Sequence, residues 1–118
     1  MAPENKQTIG KQGEELAAAF LERKGFTVVA RNYRHKKAEV DLIVKKDDFL
    51  VFVEVKTRTS SAFGEPEAFV DGKKARMILS AAEEFVFANN WHGHVRFDVV
   101  SVKLGRETEI EHFEDAIN

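Results

Sequence analysis

With 118 residues, 43% of them apolar and 32% charged, the chain is long enough for one domain with its own core, and its formal net charge of −2 shows no large excess of either sign. It contains no cysteine, which excludes disulfides, thiolate metal centres and cysteine nucleophiles. Residues 1–10 are polar and no run approaches the roughly 18 apolar residues of a membrane span, so a signal peptide and a membrane partner are not expected and the cytoplasm is the expected location.

Leu16, Ala17, Phe20 and Leu21 recur at helical spacing and Gly25 stands where a C-terminal cap belongs, which predicts a helix over 8–24. On that helix Glu15 faces away from the apolar stripe. Glu14 lies at its border, where a packed helix can present a carboxylate to a neighbouring site; the helix dipole would also favour a glutamate in the first turn. Residues 26–33 read as a first strand. They run into Arg31, Arg34, His35, Lys36 and Lys37, which serve either as a solvated connection or, with Tyr33 as a stacking aromatic, as phosphate-neutralising charge. His35 alone is not counted as a ligand or base.

Residues 38–58 hold two β-branched, apolar runs around a short polar stretch, the pattern of an antiparallel hairpin. Strand alternation puts Glu39, Asp41 and Ile43 on one face and Val40, Leu42 and Val44 on the other; the next run splits into Phe52, Glu54 and Lys56 against Val51, Val53 and Val55. A four-residue loop over 46–49 sets Asp41 opposite Glu54 and Glu39 opposite Lys56. Like charges facing each other are costly. A divalent cation would relieve them, and oxygen ligands suit Mg2+, which takes one or two carboxylates plus water and substrate phosphates. Lys56 could then hold or polarise an attacking water. The competing reading is a solvated strand face with a Glu39–Lys56 cross-strand pair.

Residues 57–70 form the least regular stretch and read as a substrate-contact loop or lid, with Arg58 as its fixed cation. Asp71 looks like the N-cap of a second helix to about Asn89, with Ala75, Ile78, Leu79, Ala82, Phe85 and Val86 as its buried stripe. Lys73, Lys74 and Arg76 crowd its start, the wrong end for the dipole, which suits a phosphate partner or simply solubility. Gly93 breaks the chain, and residues 95–102 alternate as a half-buried strand with Asp98 on a polar face with Arg96, where a plain salt-bridged position is expected. From about residue 107 an acidic tail follows, with a last strand within it. Five of the 20 acidic residues lie after position 106, so the first 106 residues carry 15 acidic against all 18 basic residues.

Asp41, Glu54 and Lys56, as Asp, then twelve intervening residues, then Glu-x-Lys, resemble the core motif of the PD-(D/E)xK, restriction-endonuclease-like superfamily. The wider series is more specific: Gly13-Glu14 with Ala17 and Leu21, Gly25-Phe26, Arg31-Asn32, Ala38 to Ile43, Val51 to Arg58, Phe63-Gly64 and Pro66-Glu67. In that order, over about residues 9–104, it resembles the YraN family of uncharacterised bacterial proteins, whose fold is similar to archaeal Holliday-junction resolvases. That family usually has Gly where this chain has Ala38, and a methyl there is expected to crowd a backbone turn beside the metal.

The order of elements gives a single α/β domain over 1–118, and the resemblance implies a restriction-endonuclease-like mixed central sheet flanked by helices. It implies a Mg2+- or Mn2+-dependent nuclease hydrolysing phosphodiester bonds in branched or structured DNA. Asp41 and Glu54 would bind the metal, Glu14 and Glu39 would assist and Lys56 would handle the water; Arg31, Arg34, Lys36, Lys37, Arg58, Lys73, Lys74 and Arg76 would contact DNA. A homodimer follows by analogy with resolvases. The alternative is a non-catalytic nucleic-acid-binding or adaptor domain on the same fold.

Overall fold

The structure, a computed structural model, describes residues 6–59 and 70–117. Helix α1 spans Lys6–Arg23, followed by strands β1 (Thr27–His35), β2 (Ala38–Lys46) and β3 (Phe49–Arg58), helix α2 (Gly72–Ala88), and strands β4 (His94–Lys103) and β5 (Glu109–Phe113). The sheet runs β1-β2-β3-β4-β5. Neighbours are antiparallel except β3 and β4, which are parallel and joined by the α2 crossover. The expected substrate-contact loop lies outside the described residues from 60 to 69. Among those described, no helix is long and apolar enough to cross a membrane.

Both helices end as their sequences dictate. Gly25 takes φ +98, and the Gly25 and Phe26 amides donate back to Glu22 and Leu21, closing α1. Asp71 caps α2 by accepting the Lys74 amide at 2.9 Å, and Asn90 at φ 52 closes its other end, with the Trp91 amide donating to Val86. That end falls before Gly93, the expected break. Ala75, Ile78 and Ala82 are buried as expected; Ala81 joins them, while Leu79, Phe85 and Val86 are only half-buried.

The helices cover opposite faces of the sheet. On the α1 side Ala17, Ala18 and Leu21 pack on Leu42, Val44, Val51, Val53, Val100 and Val102. On the α2 side Ala75, Ile78, Ala81 and Ala82 pack on Val40, Ile43, Phe52 and Val99. Because β4 lies inside this sheet, the half-buried alternation expected for it is not found. Residues 98–102 are all buried, and Asp98, at 0% exposure, is interior rather than on a polar face. Its charge is fully partnered: Arg96 donates twice at 2.9 Å, and His112 Nε2 (2.7 Å) and the Asp115 amide (3.0 Å) complete the set. Burial alone would raise the Asp98 pKa, but the His112 and Arg96 bonds prevail and hold it below the ordinary value. The last strand is present as expected, but the acidic segment is no loose tail. Glu109 pairs with Lys103, Glu114 with Arg96, and Ile117 is buried on the α2 side.

The hairpin register is as read from sequence, with Lys45 facing Leu50 and Leu42 facing Val53. Its turn is tighter, only Asp47 and Asp48, with Asp47 at φ 54. The face assignment fails at Val40, which joins Ile43 on the α2 side while Leu42 and Val44 face α1. The cause lies in the neighbouring strands. The β2–β3 ladder stops at Leu42–Val53, and β1, which β2 follows from there, shifts register between Val28 and Ala30 and holds Asn32 at φ 49. Beyond Leu42, therefore, β2 and β3 part, and Asp41 stands in the opening.

Helix α1 reaches this opening because Gly13 lets it approach β3. A Cβ at Gly13 would collide with the Thr57 side chain, whereas one at Gly10 would meet nothing within 4 Å. Gly13→Ala should therefore lower stability by about 1–3 kcal/mol through overpacking, while Gly10→Ala should raise it slightly, since Ala is the better helix former. Denaturant unfolding checks the pair; equal effects would contradict the close α1–β3 contact.

Candidate functional site

Where β2 and β3 separate, the Val55 amide no longer faces a strand carbonyl, and the Asp41 carboxylate takes that role, Oδ2 accepting from Val55 N at 2.8 Å. Glu54, one residue earlier on β3, points to the α2 face and is 2% exposed. Lys74 reaches it from the first turn of α2, Nζ lying 3.1 Å from Glu54 Oε2. The other carboxylate oxygen, Oε1, is buried and has no hydrogen-bond partner among the described residues. Such an orphan costs roughly 1–3 kcal/mol or more if nothing fills it.

The electrostatics follow from this crowding. Burial, and next the Glu54 charge, push the Asp41 carboxyl up to about 8; the Val55 amide opposes the shift and the Glu14 charge adds to it. Glu54 is also raised, first by burial, with Lys74 working in the opposite direction. Burial works against the Lys74 ammonium, but the Glu54 carboxylate beside it prevails and raises its pKa. Asp41 thus keeps its proton near neutral pH, beside the Glu54 carboxylate.

Three open clefts meet here. One of about 380 Å3, on the α2 side, is lined by Lys37, Glu39, Asp41, Glu54, Lys73 and Lys74, among others. A second of about 480 Å3, on the α1 side, is lined by Glu14, Asp41, Val55, Thr57, Arg58 and Lys74, with others. The third, about 420 Å3, runs past Lys11, Glu14, Asn32, Arg34 and Glu39. Asp41 and Lys74 belong to the first two, so Asp41 is reachable from both faces, while Glu54 lines the α2-side cleft.

Glu14 arrives as its place on the helix border implies, and Asn32 Nδ2 donates to its Oε1 at 3.0 Å. Glu39 is engaged by Arg34 across β1 and β2 at 2.9 Å, and the β2–β3 ladder ends before it would bring Glu39 opposite Lys56. Lys56 is half-buried on β3, two residues beyond Glu54. The basic run is not a loose connection: Arg31, Arg34 and His35 belong to β1, and Lys36 and Lys37 form its hairpin turn. Arg31, Lys36 and Arg76 are exposed and outside the three clefts. Tyr33 is committed to the core, edge-on to Phe85 at 5.2 Å, rather than available for base stacking. Ala38 is a strand residue opposite His35, directly after the Lys36–Lys37 turn, and is buried in the cluster that holds Ala75 and Ile78.

Two roles escaped the sequence reading. Lys74 belongs to the acidic site, an assignment that needs the α2 crossover. Asn32 holds Glu14, and only its place in the Arg31-Asn32 motif pointed to it. Among the described residues no three carboxylate or imidazole groups converge into a complete cage. Asp41 and Glu54 Oε1 are nevertheless the donor types, and the donor number, with which Mg2+ or Mn2+ is held when water and substrate supply the rest.

The profile of the Uncharacterised protein family UPF0102 matches residues 13–102. A UPF0102 protein of Flavobacterium psychrophilum is 44% identical over 109 residues, covering 92% of each chain. One of Anaeromyxobacter dehalogenans is 42% identical over 120 residues, 98% of this chain and 87% of its own. Another, from Rhodococcus opacus, is 42% identical over 111 residues, 92% of this chain and 94% of its own.

The raised Asp41 pKa fixes a sign. Between the ordinary value of 3.8 and about 8 the folded protein keeps a proton that the unfolded chain releases. Metal-free stability therefore falls as pH rises through that window. Asp41→Asn retains an acceptor for Val55 and should remove this contribution, leaving a protein more stable than the native one above pH 8 by on the order of a few kcal/mol. Parallel stability–pH curves for the two proteins would contradict the assignment.

Proposed function

The chain belongs to the uncharacterised protein family UPF0102, and from that premise we propose a metal-dependent nuclease that hydrolyses phosphodiester bonds in DNA, with branched or structured DNA as its preferred substrate. The observation that carries the reading is the pairing of half-buried Asp41 with buried Glu54, whose Oε1 has no partner among the described residues. Asp41 and Glu54 would hold Mg2+ or Mn2+, with Glu14, oriented by Asn32, at the edge of the same opening. Bound there, the ion would acidify a coordinated water and offset the charge of the phosphate in the transition state.

The chain's own residues supply the rest. Asp41 would have to release its proton for a cation to be held, so the site would bind more tightly as pH rises through about 8. Lys56, on the Glu54 strand, would position the attacking water and steady the developing charge. Arg58 at one cleft, and Lys37 and Lys73 at the other, would hold the flanking phosphates. Arg34 and Glu39 neutralise each other, and Arg34 would gain a phosphate by exchange. Arg31, Lys36 and Arg76 would give the wider electrostatic attraction.

We read the sheet as restriction-endonuclease-like. Its hairpin carries the acidic residues, α1 contributes Glu14, and a parallel strand follows through a crossover helix. A homodimer in the cytoplasm completes the proposal, because one chain is small for a branched duplex. The alternative of a non-catalytic DNA-binding or adaptor domain draws on one observation: Lys74 already compensates Glu54 without a metal.

A cleavage assay separates the two. With Mn2+ at low salt, the native protein should cut at least one of duplex, single-stranded, flap or four-way-junction DNA. Lys56→Met keeps the apolar stem and should cut roughly 10²- to 10⁴-fold more slowly with DNA affinity nearly unchanged. DNA binding without cleavage by native protein would favour the adaptor; equal rates would remove Lys56 from the chemistry.

A further inference from the structure

Lys74 combines features that no single structural role explains. Its backbone is fixed, because Asp71 accepts the Lys74 amide at 2.9 Å and so anchors the first turn of α2. A cation is electrostatically misplaced at a helix N-terminus. Its side chain nevertheless turns back to Glu54 Oε2 at 3.1 Å.

The two partners are unequally held. The Lys74 side chain is 53% exposed and that of Glu54 only 3%. A half-exposed ammonium on a four-carbon stem can return to water at little cost, whereas the buried carboxylate cannot follow it. The pairing is also incomplete. Lys74 satisfies one oxygen of Glu54 and, among the described residues, leaves Oε1 without a partner; its single positive charge balances Glu54 alone and falls short once Asp41 is ionised as well. Lys74 lines the cleft on the α2 side and also the one between Glu14 and Arg58 on the α1 side, so it has somewhere to go.

We propose that Lys74 is a displaceable resident cation of the acidic pair: it neutralises Glu54 while no divalent ion is bound, yields Oε2 when one arrives, and turns to the cleft beside Arg58, where a phosphate would lie. This rests on the reading of Asp41 and Glu54 as a metal site. It differs from a structural ion pair in one measurable respect. Removing a structural partner weakens the site, whereas removing a competitor strengthens it.

Calorimetric titration of the purified full chain with Mg2+ at pH 9 and low salt reads that difference. Lys74→Met removes the charge; Lys74→Gln removes it while keeping a hydrogen-bond donor for Glu54 and guards against loss of folding. Both should bind Mg2+ at least about tenfold more tightly than the native protein, because the competing charge is gone. Lys74→Arg, which keeps the charge, should bind no more tightly than native. Lys45→Gln, at the far end of β2, should change affinity much less, because its exposed ammonium stands in high-dielectric solvent away from the pair. Native binding that is unchanged or weakened in both Lys74→Met and Lys74→Gln overturns the displacement proposal and leaves the metal reading standing. Absence of Mg2+ binding in native and variants alike overturns the metal reading, and this inference with it.

Discussion

Two carboxylates in the opening between β2 and β3 constrain most of what surrounds them. Asp41 substitutes for a strand carbonyl by accepting from the Val55 amide, and Glu54 is enclosed under α2 with only Lys74 to neutralise it. Neither arrangement stabilises the fold cheaply. A carboxyl pushed up to about 8 and a buried, unpartnered oxygen are both features that an apolar pair would avoid. Strain of this kind, kept in a small domain, marks a site rather than a scaffold.

The scaffold that tolerates it is conventional by comparison. Two helices, each closed by a residue at positive φ, cover the two faces of one mixed sheet, and β3 and β4 bury valines on both sides. The other buried carboxylate, Asp98, shows the contrast. It is as enclosed as Glu54, yet Arg96, His112 and the Asp115 amide satisfy it and keep it ionised. One buried acid is thus fully answered and ties β4 to the C-terminal segment, while the other is left half-answered and faces a cleft.

How far the chain could be read in advance depended on the range of the interactions. Caps and stripes are local, so Gly25, Asp71 and the Ala75, Ile78, Ala82 face were legible, as was the hairpin register that carries Asp41 and Glu54. The reversal of β2 at Val40 was not, because it is imposed by the irregularity of β1 near Val29 and Asn32. Asp98 was placed on a polar face because nothing local tells a central strand from an edge one. Lys74 was legible as a charge without a reason; that reason, Glu54, lies 20 positions away across a crossover. Tyr33 escaped the sequence reading for the same cause, since it packs edge-on against Phe85 of α2.

The account stands on the acidic pair being a cation site, and anomalous diffraction from crystals soaked in Mn2+ addresses it most directly. The account predicts one anomalous peak within ligand distance of an Asp41 oxygen and Glu54 Oε1, with Lys74 Nζ moved away from Oε2. A density map with Mn2+ bound elsewhere, or with no peak while the Lys74–Glu54 pair stays intact, would contradict it.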